Sequence, residues 1–351
     1  MRFLTIQIAA LATVAGALFG GPAVADACAG LIGSNGSVNL ARTSTLAGYH
    51  DGVEHYVTAF KFQGGGGEFG TLIPLPGVPT NIERGGAWTL QRLERETQPP
   101  RRGFEAAAAA PALSAAGAEV IQQVRIDALD LTVLKGGAPD VAAWAEAHGF
   151  RLSPDAPEVL EFYASRSPIF LAAVFDGAAA VARGQQLGDG TPVHLRIPTT
   201  NPWVPLRILG LGKTQSDLVQ ADVYLLTDKR PALLPGARPG LSLVYDQPAS
   251  TPLLSDLRAD DGMDWVPASA WLTKLQVDTT VDDLKYDLAV DTSPAQRPSP
   301  RDAGLAFFPT LTPQTPESGG LGVGVWLASG AALLLVLGAG WRGAVAARRA
   351  S

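Results

Sequence analysis

The sequence predicts an α+β domain of mostly antiparallel strands with two short inserted helices, followed by one C-terminal transmembrane helix. Three observations carry that reading. Short runs rich in β-branched and aromatic residues recur along the chain. The apolar period changes from two to nearly four in only two places. A long uncharged apolar run at 319–341 is followed by Arg342, Arg348 and Arg349.

The elements follow in order. Residues 1–27 (MRFLTIQIAALATVAGALFGGPAVADA) have one Arg, an apolar stretch from Phe3 to Phe19, then Gly20-Gly21-Pro22 and small residues at Ala23, Ala25 and Ala27. This is the pattern of a cleavable export signal, cut after Ala25 or Ala27. The rival is an uncleaved anchor helix, which the Gly-Gly-Pro break disfavours. Cys28 invites a lipoprotein reading, but Ala25-Asp26-Ala27 before it lacks the Leu and uncharged small residue of a lipobox.

Residues 54–62 (EHYVTAFKF) alternate in period two and read as a strand; the four glycines at 64–67 make a turn, and 69–76 (FGTLIPLP) resume extended structure. Residues 90–96 are mixed and charged, and 99–111 form a loose, low-complexity insertion around Pro99-Pro100-Arg101-Arg102, where two subdomains would divide, near 98–118. Two β-rich pieces follow in 119–137. Pro139-Asp140 then caps a helix (VAAWAEAHGF) with Val141, Trp144, Ala145 and His148 on one side and Gly149 as its stop. A second short helix runs from Ser153-Pro154 through Tyr163. Residues 168–175 (PIFLAAVF) do not alternate, so they are a strand buried on both faces. Residues 193–197, 205–211, 222–226 and 242–245 continue as strands.

The domain is expected over 28–288, and the Pro, Ser and Thr content of 289–318 reads as a stalk. At about 1.5 Å per residue, 319–341 reaches across a hydrocarbon core of roughly 30 Å. The arginines beyond it place the tail 342–351 in the cytoplasm and the bulk of the chain outside. The expected location is therefore the cell membrane, single-pass. Glycines along the span leave self-association through it open.

Without Arg2 and the three tail arginines, the exported part carries 23 basic against 33 acidic residues, a net charge of −10, or −9 if Asp26 leaves with the signal. Such a surface repels nucleic acid and anionic lipid headgroups. With Cys28 as its one cysteine the chain forms no internal disulfide, so core burial must stabilise it outside the cell.

The ordered succession CAG near the mature start, EHYVTAFKFQG with LIPLPGVP after it, LDLTVL, AAWAEAHGF, EVLEFYASRSPIFLAAVF, then PLRILGLG and VYLLTDKRP resembles the bacterial family called domain of unknown function 2330. The resemblance covers roughly 28–290. It implies an exported protein with a C-terminal membrane span and brings no activity with it. That family's mature start tends to carry further cysteines; here Cys28 stands alone, which weighs against a disulfide or metal role for that region.

Enzyme classes with strong local signatures are missing: there is no Gly-x-Ser-x-Gly, no His-Glu-x-x-His, no phosphate-binding loop and no Cys-x-x-Cys. His50 and His55 are an odd number of residues apart, so one regular strand would point them to opposite faces. His148 suits the last turn of its helix, where a cation complements the dipole. Asp256, Asp260, Asp261 and Asp264, with Asp278, Asp282, Asp283 and Asp287 further on, offer oxygen ligands for calcium, but in no EF-hand spacing, and solvated turns are the default. Trp265 and Trp271 bracket a segment with helical potential whose aromatics read as core. No residue is therefore assigned as catalytic, cofactor-binding or metal-binding, and no cofactor is expected. The expected partners are the membrane, through the C-terminal helix, and an envelope protein or glycan bound by a non-catalytic module. The alternative is a hydrolase or metal-dependent enzyme whose active residues are dispersed in sequence.

Overall fold

The structure is a computed structural model that describes residues 30–33, 42–61, 69–98, 119–185 and 190–305. Contacts divide the chain into Met1–Phe307 and Phe308–Ser351, and every described residue lies in the first unit. The signal, Cys28, the glycines at 64–67, the insertion, residues 306–318, the expected span and the tail all fall outside the described residues. Among those residues no helix is long and apolar enough to cross a membrane.

In chain order the elements are β1 (Gly30–Gly33), β2 (Thr43–His50), β3 (Val53–Lys61), β4 (Phe69–Pro74), β5 (Asn81–Arg84), α1 (Thr89–Thr97), β6 (Glu119–Ile126) and β7 (Leu129–Lys135). Next come α2 (Ala138–Ala147), α3 (Ala156–Ala164), β8 (Ile169–Phe175), α4 (Gly177–Ala182), β9 (Gly190–Pro198), β10 (Trp203–Val204) and a 3₁₀ turn (Arg207–Gly210). The last are β11 (Leu218–Thr227), β12 (Ala232–Leu234), β13 (Leu241–Pro248), α5 (Thr251–Ala259), β14 (Trp271–Thr280) and β15 (Leu288–Asp291).

The strands build a seven-stranded sheet in the order β13-β14-β11-β2-β3-β9-β5, a five-stranded sheet β1-β4-β8-β7-β6 and a small sheet β10-β15-β12. Pairings are antiparallel except β11 with β2, which is parallel, so the mixed, mostly antiparallel class is as the sequence predicts.

Alternation along the strands makes four layers. Tyr56, Phe60, Val193, Leu195, Val223 and Leu225 of the large sheet pack against Ile73, Leu131, Val133, Leu171, Ala173 and Phe175 of the five-stranded sheet in one core. The other face of the smaller sheet, with Leu72, Phe170 and Val174, is covered by Val141 and Trp144 of α2 and Leu160 and Phe162 of α3. The outer face of the large sheet, with Leu46, Val57, Tyr224 and Leu226, is covered by Leu90 and Leu93 of α1 and Leu253, Leu254 and Leu257 of α5. Each such side chain, fully buried, contributes about 1.5–3 kcal/mol. Strand β8 lies between two of these cores and is buried at every position, which is why its sequence does not alternate.

The structure differs from the sequence reading at several points. Besides the two expected helices, α1, α4 and α5 are present among the described residues. Residues 205–211, expected as a strand, curl into the 3₁₀ turn. There the amides of Leu206 and Arg207 donate to Asp287 Oδ1 at 2.7 and 3.0 Å, and that of Ile208 to the Tyr163 hydroxyl at 2.8 Å, so side chains take the donors a ladder would have used. Strands on both sides of 98–118 share both large sheets, so no subdomain boundary falls there.

The segment from 289 begins as structure rather than stalk. β15 pairs with β10 and β12, and Ala303 is buried, with its carbonyl accepting from Asp287 N at 2.9 Å. The folded body therefore runs past 288 to at least Leu305. Between Trp265 and Trp271 there is no helix; α5 ends before it, at Ala259.

Candidate functional site

The site lies on the outer face of the large sheet, where β2, β3, β9 and β5 run side by side beyond the cover of α1 and α5. Register sets its members. His55 on β3 stands opposite Gly48 on β2 and Arg196 on β9, Val57 opposite His194, and Glu83 on β5 opposite His194. His55, His194, Arg196 and Glu83 thus project from one face of three neighbouring strands.

His55 Nδ1 and His194 Nε2 are 3.0 Å apart, and His194 Nδ1 lies 3.0 Å from Glu83 Oε1, which also accepts from Arg196 Nε at 3.2 Å. The carboxylate acts only as acceptor, so it orders the protons. His194 carries its proton on Nδ1 and offers Nε2 to the Nδ1–H of His55, leaving the unprotonated His55 Nε2 at the end of the chain. Neither ring is well placed to be charged. Burial, then the neighbouring His194 and Arg196, push His55 down to about 3, while burial and Arg196 push His194 down to about 4. At neutral pH both imidazoles are uncharged.

The loop after α5 covers this pair. Its course is fixed by Asp260, which accepts from the amides of Ala87 and Trp88 at 3.0 and 2.9 Å and from the Thr89 hydroxyl at 2.8 Å, and so caps α1 from a distant part of the chain. Gly262 follows with φ +75, where a Cβ would meet Arg84 O at 2.4 Å. The loop then lays Trp265 parallel on His55, centroids 4.0 Å apart at 10°. Gly48 makes the room, since a Cβ there would stand 2.3 Å from the indole. The Trp265 ring stays partly exposed while its Nε1 is buried with no hydrogen-bond partner among the described residues, and exposed Asp264 stands 3.7 Å from Arg196.

The other residues singled out by sequence go elsewhere. His50 pairs with Asp228 at 2.5 Å, and His148 bonds the Trp144 carbonyl at 2.7 Å while stacking on the Trp144 ring. The acidic cluster does not converge: Asp256 holds Arg92 at 2.7 Å, Asp260 caps α1, and Asp264 faces Arg196. Asp278 meets Gln220, Asp282 meets Lys285, Asp283 meets Thr280, and Trp271 donates to Asp246. Asp287, fully buried, accepts from the Tyr163 hydroxyl at 2.8 Å, from Arg166 at 2.5 Å and from the two amides of the 3₁₀ turn. Its role is architectural. Among the described residues no group of three or more His, Cys, Asp or Glu side chains is arranged to hold a metal ion.

Sequence reasoning passed over Glu83, Arg196 and Glu54. Glu54 is fully buried on the opposite, inner face of β3, and the signal that marks it is a carboxylate on the face that carries Tyr56 and Phe60.

The fold and this site define a layered α+β sandwich with a neutral histidine pair closed beneath a tryptophan. The chain belongs to the domain of unknown function 2330 family, described as uncharacterised protein conserved in bacteria, whose sequence profile matches residues 22–233. No curated protein matches it. Among solved structures, a mutated baculovirus P35 after caspase cleavage is 8% identical, with 71% of this chain and 99% of that chain covered and a TM-score of 0.38. Baculovirus P35 itself is 9% identical, with 71% and 96% covered and a TM-score of 0.37. Likeness of that degree carries no argument about function.

Proposed function

We propose that the protein is a membrane-tethered extracytoplasmic binding module of the bacterial envelope that recognises a glycan at Trp265, Glu83, Arg196 and Asp264. The observation that supports this most is the partly exposed Trp265 ring, held flat by His55 and bordered by two carboxylates and a guanidinium. A pyranose offers an apolar C–H face that stacks on such a ring, and hydroxyls that planar charged groups bind in pairs. The cleavable export signal would carry the chain out of the cytoplasm, and the apolar run 319–341 would tether it. Calorimetric titration of the full chain in detergent with envelope glycan fragments tests the reading: saturable binding is expected, weakened at least tenfold in Trp265→Ala. Equal binding by that variant, or none by the wild type, sinks it.

The hydrogen-bonded run from Glu83 through His194 to His55 favours a second reading, general-base catalysis by His55 Nε2 once Trp265 swings aside and water relieves the burial that holds His55 low. In that case the glycan is cleaved on prolonged incubation and His55→Gln abolishes product without abolishing binding.

A further inference from the structure

We propose that a cavity on the inner side of the seven-stranded sheet, lined in part by Glu54, binds one small, weakly hydrated monovalent cation, the ammonium ion, in exchange for a proton. Glu54 has no exposed surface. Among the described residues its Oε2 accepts only from the Trp203 amide, at 3.3 Å, and its Oε1 has no hydrogen-bond partner. The cavity is lined by Tyr49, Trp203, Leu225, Thr227 and Val290 besides Glu54, and has room for about one water-sized group.

Three other buried carboxylates among the described residues are treated differently. Asp287, Asp260 and Asp222 each have both oxygens engaged by hydrogen bonds or ion pairs. An unpaired oxygen in an apolar wall is costly and is not needed to join β3 to its neighbours, whose ladders are complete on both sides.

The electrostatics select the sign and kind of occupant. Tyr49, at the cavity wall, has its hydroxyl pushed up by burial and then by the carboxylates of Glu54, Asp291 and Asp228, and the nearby His50 is paired with Asp228. A single carboxylate balances one positive charge. Apolar walls and the rings of Trp203 and Tyr49 suit ammonium better than the more tightly hydrated sodium ion. Burial raises the empty Glu54 carboxyl to about 8, only partly offset by the Trp203 amide. The empty site is therefore the neutral acid at pH 7. Entry of the cation breaks the Glu54 O–H bond, the proton goes to buffer, and the cavity stays neutral overall.

Calorimetry of the full chain in detergent, titrated with ammonium chloride in buffers of different ionisation heat, tests the assignment. About one proton is released per site at pH 7, and affinity rises roughly tenfold per pH unit up to about pH 8. Thermal unfolding midpoints rise with ammonium and not with sodium or the bulkier tetramethylammonium at equal ionic strength. Glu54→Gln, which keeps the Trp203 hydrogen bond, loses both effects. Should that variant fail to fold, the 13C resonance of the wild-type Glu54 carboxyl replaces it and must move from acid to carboxylate position as ammonium is added. Equal stabilisation by sodium, proton release that persists in Glu54→Gln, an unmoved carboxyl resonance, or no response at all, as for a cavity holding only water, overturns the proposal.

Discussion

Asp287 is the residue on which most separate parts of the chain meet: α3 through Tyr163 and Arg166, the 3₁₀ turn through two amides, and the last described segment through its own N–H. Asp287→Ala leaves Arg166 buried without its counter-charge and costs about 3–5 kcal/mol, read as a fall in the urea midpoint at unchanged slope. The histidine pair makes a prediction of the same pH sense as a carboxylate whose folded value is depressed. Both folded values lie below the roughly 6.5 of an unfolded histidine, so the unfolded chain binds protons first. Their contribution is complete above about pH 6.5 and is lost as pH falls toward about 4; unfolding free energies measured across that window decline less in a His55→Gln/His194→Gln double variant. Each histidine is visible in the sequence. Their meeting is not, because it depends on the register of β3 against β9, and the two residues are 139 apart.

At the scale of elements, α1 shows why some helices are legible and others hidden. Its Leu90 and Leu93 sit one turn apart, but its N-terminus carries no cap of its own, and Asp260 supplies one from 171 residues beyond Thr89. By contrast α2 carries its signals locally, in the Asp140 carboxylate accepting from Gly137 N at 2.8 Å and in Gly149 at φ +77, so the periodicity and the caps agree. Asp260→Ala is expected to cost about 2 kcal/mol and to speed amide hydrogen exchange in the first turn of α1 before the rest of the helix. Gly48→Val tests the loop above the histidines: its side chain takes the space of the indole, so Trp265 fluorescence shifts to the red while far-ultraviolet circular dichroism is unchanged.

For the whole molecule, the class was legible because alternating strands and two locally capped helices are short-range patterns. The layering was not, since it depends on which faces pair across the chain. The clearest consequence lies at the C-terminal edge of the fold. A chain cut after 288 loses most of β15 and the Ala303 contact, and its unfolding midpoint is expected to fall well below that of a chain cut after 305. Composition pointed the other way there, because Pro and Ser in 292–300 read as linker, while the apolar anchors Ala289, Val290 and Ala303 are few and far apart.

The most direct test of the account follows the indole Nε1–H resonance of Trp265 in the full chain, assigned with Trp265→Phe, during titration with envelope glycan fragments at neutral pH. The account predicts a saturable shift of that signal, accompanied by the His55 ring nitrogens. A resonance that stays in place while glycan binds elsewhere, or while no glycan binds at all, contradicts it.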